Sequence, residues 1–115
     1  MRILMIILSA LVWLIPARAA YSEDFVIESL GQGIYVHHGA HLDIDDGYQG
    51  DICNISFVVG SKGVAVIDTG GSLKVGQQLR QAIAKVTSLP VLYVINTHVH
   101  PDHTYGNPAF LASQL

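Results

Sequence analysis

The 115-residue chain predicts an α/β fold, and three observations lead there. A β-type run at Val64–Asp68 precedes a helical pattern that extends from Ser72 to Val86. A second apolar run, Val91–Asn96, follows the helix. A polar segment rich in histidine begins directly after that run. Strand, helix, strand and polar loop in this order put chemistry beyond the carboxyl ends of the strands.

The N-terminus stands apart from the domain. Met1-Arg2 supplies a basic start, and Ile3–Ile15 is apolar apart from Ser9. Pro16 breaks the run, and Ala17-Arg18-Ala19 has the small-x-small pattern of a signal peptidase site. A run of thirteen residues is too short to cross a hydrocarbon core of about 30 Å comfortably. Residues 1–19 are therefore expected to be a cleaved signal peptide and not a stable membrane anchor. A mature chain beginning near Ala20 and destined for the periplasm or the outside follows from this. Loss of Arg2 and Arg18 leaves four basic residues against nine acidic ones, a formal charge of −5. That balance excludes the clustered Lys and Arg of a nucleic-acid surface. Cys53 is the only cysteine, so no intramolecular disulfide can form.

The elements then follow in order. Residues 21–30 read as an entry segment, with a short apolar run at Phe25-Val26-Ile27. Gly31-Gln32-Gly33 reads as a turn, and Gly33–His38, rich in β-branched and aromatic residues, as a strand. Residues 39–51 carry three glycines and four aspartates and read as a loop. Ile52–Val59 is a second strand with Cys53, Ile55, Phe57 and Val59 on one face. Gly60-Ser61-Lys62-Gly63 is a hairpin turn into Val64–Asp68. Ser72 suits a helix N-cap, and Val75, Leu79, Ile83 and Val86 form one helical face. Pro90 prevents the helix from continuing. Val91–Asn96 is a nearly continuous apolar strand, as expected of one buried on both faces.

His98, His100, Asp102 and His103 are four potential metal ligands within six residues. Residues two apart in extended backbone point the same way, so His98 and His100 can close on one ion. Pro101 turns the chain and lets Asp102 and His103 face a neighbouring position. Imidazole and carboxylate donors suit zinc. Two donors to each of two ions suit a metal pair about 3.5–4 Å apart. Asp102 has a second possible role, orienting the attacking water and relaying its proton.

The run Thr97-His98-Val99-His100-Pro101-Asp102-His103 resembles the His-x-His-x-Asp-His signature of the metallo-β-lactamase fold superfamily. Val64-Ala65-Val66-Ile67-Asp68-Thr69-Gly70 resembles the strand and Asp-Thr-Gly turn that precede it there. The resemblance implies His98 and His100 as ligands of a first Zn(2+), and Asp102 and His103 as ligands of a second. It also implies that Asp68 fixes the metal-binding loop without touching metal. It covers residues 30–112 and only the first half of the family's fold, an αβ/βα sandwich. Residues 20–115 are thus expected to be a partial domain. Further ligands are expected beyond Leu115: a third histidine for the first zinc, a bridging aspartate and a last histidine for the second.

The family often continues Asp-His-x-Gly-Gly-Asn, whereas Tyr105 stands here at the first glycine. This, with Gly50-Asp51-Ile52-Cys53-Asn54-Ile55, looks most like the quinoprotein relay system zinc metallohydrolases. That subgroup implies export and a functional link to a quinoprotein dehydrogenase system. The expected activity is zinc-dependent hydrolysis of a small-molecule ester, amide or thioester, β-lactams included. The rival is a non-catalytic truncated chain that binds metal or a partner. A di-iron redox enzyme is disfavoured, because such relatives carry a glutamate where this chain has His100.

Other clusters carry less. His37 and His38 point to opposite strand faces and cannot easily share an ion, and with His41 they read as strand-end polar residues or substrate rim. Asp43, Asp45 and Asp46 lack the remaining positions of a calcium loop. Cys53 reads as a buried small hydrophobe. Gly70-Gly71 lacks the lysine and spacing of a phosphate loop.

Overall fold

The computed structural model describes residues 25–40 and 49–111. The expected signal peptide, His41 and Asp43, Asp45 and Asp46 lie outside the described residues. Five strands form one sheet in the order β1-β2-β3-β4-β5. They are β1 (Glu28–Gly31), β2 (Ile34–His37), β3 (Ile55–Val59), β4 (Val64–Ile67) and β5 (Val91–Ile95). β1 to β4 pair antiparallel, and β4 pairs with β5 in parallel across helix α1 (Leu73–Val86). Two short helices, α2 (Pro101–Thr104) and α3 (Pro108–Leu111), complete the described chain. Among the described residues no helix is long and apolar enough to cross a membrane.

The pleat selects the core. Ile55, Phe57, Val64 and Val66 are buried on one face of β3 and β4. Val75, Leu79, Ile83, Ala109 and Phe110 of α1 and α3 pack against them. Ser72 caps α1 as its spacing predicts, its hydroxyl accepting from the Val75 amide at 3.2 Å. Thr87 ends the helix in extended backbone, with Pro90 just beyond.

Three expectations are corrected. First, Glu28–Gly31 is a strand and not part of an entry segment. All four of its residues are exposed, so backbone pairing with β2 holds it without an apolar signal. Second, β3 begins at Ile55 and not at Ile52. Residues 52–54 leave the sheet to serve other loops: the Asn54 carbonyl Oδ1 accepts from the Gly39 amide (3.1 Å), and Cys53 turns its thiol toward Asp102. Third, β5 is not buried on both faces. It is an edge strand of the sheet among the described residues, and Leu92, Tyr93 and Ile95 are 49%, 65% and 51% exposed. The inner apolar rows covered by α1 and α3 are those of β3 and β4.

Candidate metal centre

The loops after β4 and β5 lie side by side because the two strands are parallel neighbours, with Ile67 opposite Ile95. The ladder continues one step further, the Asp68 amide donating to the Ile95 carbonyl at 2.8 Å. Asp68 then takes a left-handed conformation (φ 59°), which aspartate tolerates better than most residues. This turn aims its carboxylate across at the β5 loop. Oδ1 accepts from the Thr97 amide, and Oδ2 accepts from the Thr97 hydroxyl and from His103 Nδ1, each at 2.8 Å. Burial alone would raise the Asp68 carboxyl. The bonds from His103 and Thr97, with the charge of His103, outweigh it and hold the group below its ordinary value.

An ionised carboxylate only accepts, so His103 carries a proton on Nδ1. Its other nitrogen, Nε2, faces Asp102 Oδ2 at 3.2 Å. A buried carboxylate fixing one ring nitrogen while the other meets the donor cluster is the arrangement that orients a metal-binding imidazole.

His100 precedes α2 in extended backbone, Pro101 opens the helix, and Asp102 and His103 fall in its single turn. The turn expected at Pro101 is therefore present. The His98 ring lies 4.6 Å from that of His100 and 4.0 Å from that of His103, centroid to centroid. Thr97 Oγ1 also meets His98 Nδ1 at 2.9 Å. The four residues singled out in the sequence thus gather at one end of the sheet. The donor atoms that all lie within 4.8 Å of one another, among the described residues, are those of Cys53, Asp102 and His103. His98 and His100 stand beside this trio as a ring pair. Nitrogen, oxygen and sulfur donors converging at this distance fit a transition-metal ion such as zinc.

Sequence reasoning missed the scaffold beneath. Thr69 donates its amide to the His103 carbonyl (3.0 Å) and its hydroxyl to Asn107 Oδ1 (2.7 Å). The Asn96 side chain donates to the His103 carbonyl at 3.2 Å, and Asn107 Nδ2 donates to Asn96 Oδ1 at 2.7 Å. The Gly106 amide donates to the Gly70 carbonyl (2.9 Å). A Cβ on Gly106 would stand 1.9 Å from the Thr69 carbonyl oxygen, so no side chain fits there. Position 105 is different: Tyr105 is 61% exposed with φ −71°. The departure from the Gly-Gly pattern therefore falls at the position where a side chain is harmless. The glycine and asparagine of that pattern were the available signal for this network.

Cys53 is buried as expected, but it is more than a packing residue. Its thiol donates to the Asp102 carbonyl at 2.8 Å. Burial, with the nearby charges of Asp102, Asp68 and Asp51, pushes the thiol up to about 12. His37 and His38 do point to opposite faces. His38 is exposed and meets Glu28 at 3.0 Å. His37 is buried, stacked on Phe25, and bonded to the Val26 carbonyl and to Asp51, so it braces the fold and does not rim the site.

A parallel strand–helix–strand unit that ends in an ordered histidine and aspartate cluster defines a class of metal-binding α/β proteins. A profile of the "Metallo-beta-lactamase superfamily" matches residues 48–114, and the chain belongs to that superfamily. It is 30% identical over 53 residues to the "Linear primary-alkylsulfatase" of Pseudomonas sp. (strain ATCC 19151), over 46% of this chain and 10% of that one. The solved structure of TMB-1, a protein studied for substrate and inhibitor binding, superposes with a TM-score of 0.56 at 22% identity. That match covers 70% of this chain and 36% of TMB-1. The chain thus spans about a tenth and about a third of these two relatives.

Proposed function

We propose that the protein is an exported zinc-dependent hydrolase of small molecules, with its reaction centre at His98, His100, Asp102 and His103. The observation that carries the reading is the orientation of His103, pinned through Nδ1 by the buried Asp68 while its other nitrogen meets Asp102. In this reading His98 and His100 hold one Zn(2+), and Asp102 and His103 hold a second. Bound zinc lowers the pKa of water and polarises a carbonyl, which is the chemistry that hydrolysis of an ester, amide or thioester needs. Asp102 has a second role: its carboxylate orients the attacking water and receives its proton. Asp68 and Thr97 keep the ligand loop in register. Export rests on the N-terminal sequence alone, and the quinoprotein link on the motif resemblance alone.

These four residues alone offer two donors to each ion, short of the three protein ligands usual in catalytic zinc sites. Turnover by this chain alone is expected at background. The test uses the longest reading frame that contains the chain. It is assayed with zinc, and after chelation, against simple esters, thioesters and lactams, with an alkyl sulfate included because of the sulfatase likeness. Zinc-dependent turnover that is lost in the His98→Ala, His100→Ala double variant supports the reading. Turnover that survives chelation or the double variant overturns it.

A further inference from the structure

We propose that Cys53 is a sulfur ligand to the ion held by Asp102 and His103, a proposal that rests on the metal-binding reading above. Cys53 belongs to the inward row of Ile55 and Phe57, yet it lies where residues 52–54 have left the sheet. Its neighbours there are not purely apolar. The sulfur contacts the Asp102 carbonyl at 2.8 Å, and it lies within 4.8 Å of both a carboxylate oxygen of Asp102 and a ring nitrogen of His103. A residue required only to fill the core would need no sulfur aimed at the metal loop.

The donor set has chemical consequences. Asp68 occupies His103 Nδ1, so the ring is left with one nitrogen for an ion. One nitrogen, one oxygen and one sulfur make three protein donors and leave a fourth tetrahedral position open, the pattern of catalytic zinc sites. As the sulfur–metal bond forms, the thiol proton leaves to solvent. A soft thiolate in the set favours zinc or cobalt over magnesium, calcium or manganese. Cys53 thereby links the strand before the hairpin to the loop after β5 through the metal itself.

Cobalt(II) titration of the intact 115-residue chain, kept reduced with a phosphine, tests this. Visible ligand-field bands report cobalt held by the cluster. A near-ultraviolet band reports thiolate-to-cobalt charge transfer. Cys53 is the only cysteine, so that band can have one source. The expected result is both bands in the unaltered chain, with the near-ultraviolet band lost in Cys53→Ser while the visible bands remain. Serine still donates to the Asp102 carbonyl, so a purely structural cysteine would show no such loss. Visible bands that depend on Asp102 and His103, without any near-ultraviolet band, would overturn the role of Cys53 and leave the metal reading standing. Absence of all bands would overturn both.

Discussion

Replacing Asp68 by asparagine separates metal orientation from loop stability. The carboxylate accepts three hydrogen bonds at 2.8 Å, one on Oδ1 and two on Oδ2. An amide offers one acceptor oxygen and one donor nitrogen. With nitrogen in the place of Oδ2, the Thr97 hydroxyl can reverse, but His103 Nδ1–H then meets a donor. The imidazole must then carry its proton on Nε2 and not on Nδ1, and so lose the lone pair that would hold an ion. With nitrogen in the place of Oδ1, it meets the Thr97 amide, which cannot reverse. Either orientation leaves one donor–donor conflict, which costs about 1–3 kcal/mol. Loss of a residue that orients a metal ligand lowers metal affinity about 10–100-fold. Asp68→Ala also puts a Cβ without polar partners at φ 59°, and it is expected to lose about 3–5 kcal/mol of stability through unsatisfied donors and left-handed strain. Zinc affinity is read by competition with a chromophoric chelator, and the His103 tautomer by ring 15N shifts. Asp68→Asn binding zinc as tightly as the unaltered chain, with the proton still on Nδ1, would refute this reasoning.

Gly106→Ala should destabilise the fold by about 1–3 kcal/mol and weaken zinc binding, because its Cβ displaces the 69–71 turn. Tyr105→Gly, which restores the common family pattern at an exposed position, should leave zinc affinity unchanged, and equal effects of the two in a zinc titration would contradict the packing account. His37 is also testable by pH. Burial lowers its pKa, but the bonds to Asp51 and the Val26 carbonyl and the Asp51 charge raise it more, so the folded value exceeds the usual 6.5. Its stabilisation is therefore complete below the unfolded value and is lost as pH rises through the folded one. The urea midpoint should fall across that window, and this slope should vanish in His37→Asn; an identical slope in both proteins counts against the pair. Mass spectrometry of the exported protein should find an N-terminus near Ala20, and a chain still starting at Met1 in the membrane would rule out the cleaved signal.

The helix and the site were legible for different reasons. Val75, Leu79 and Ile83 announce α1 by their period, and Ser72 marks where it starts. The ligand loop was legible because four donor residues, three histidines and an aspartate, within six positions are hard to place otherwise. The scaffold of Thr69, Asn96 and Asn107 was less visible, since single polar residues in loops reveal their partners only after the loops are placed together. Cys53 shows the same limit: its alternation with Ile55 and Phe57 predicts burial correctly. That its sulfur reaches Asp102 depends on a local departure from the sheet. β5 misled because a continuous apolar run reports the affinity of its side chains for cover, and not which elements supply that cover. β1 was silent because its exposed residues give no apolar pattern, and pairing with β2 is mainly through the backbone.

The central claim is that His98, His100, Asp102 and His103 bind zinc. Equilibrium dialysis of the 115-residue chain against zinc, followed by elemental analysis, tests it most directly. Bound zinc that falls in the His98→Ala, His100→Ala double variant, and falls to background when Asp102 and His103 are also replaced, is the result predicted. Zinc content unchanged by these replacements would contradict the assignment.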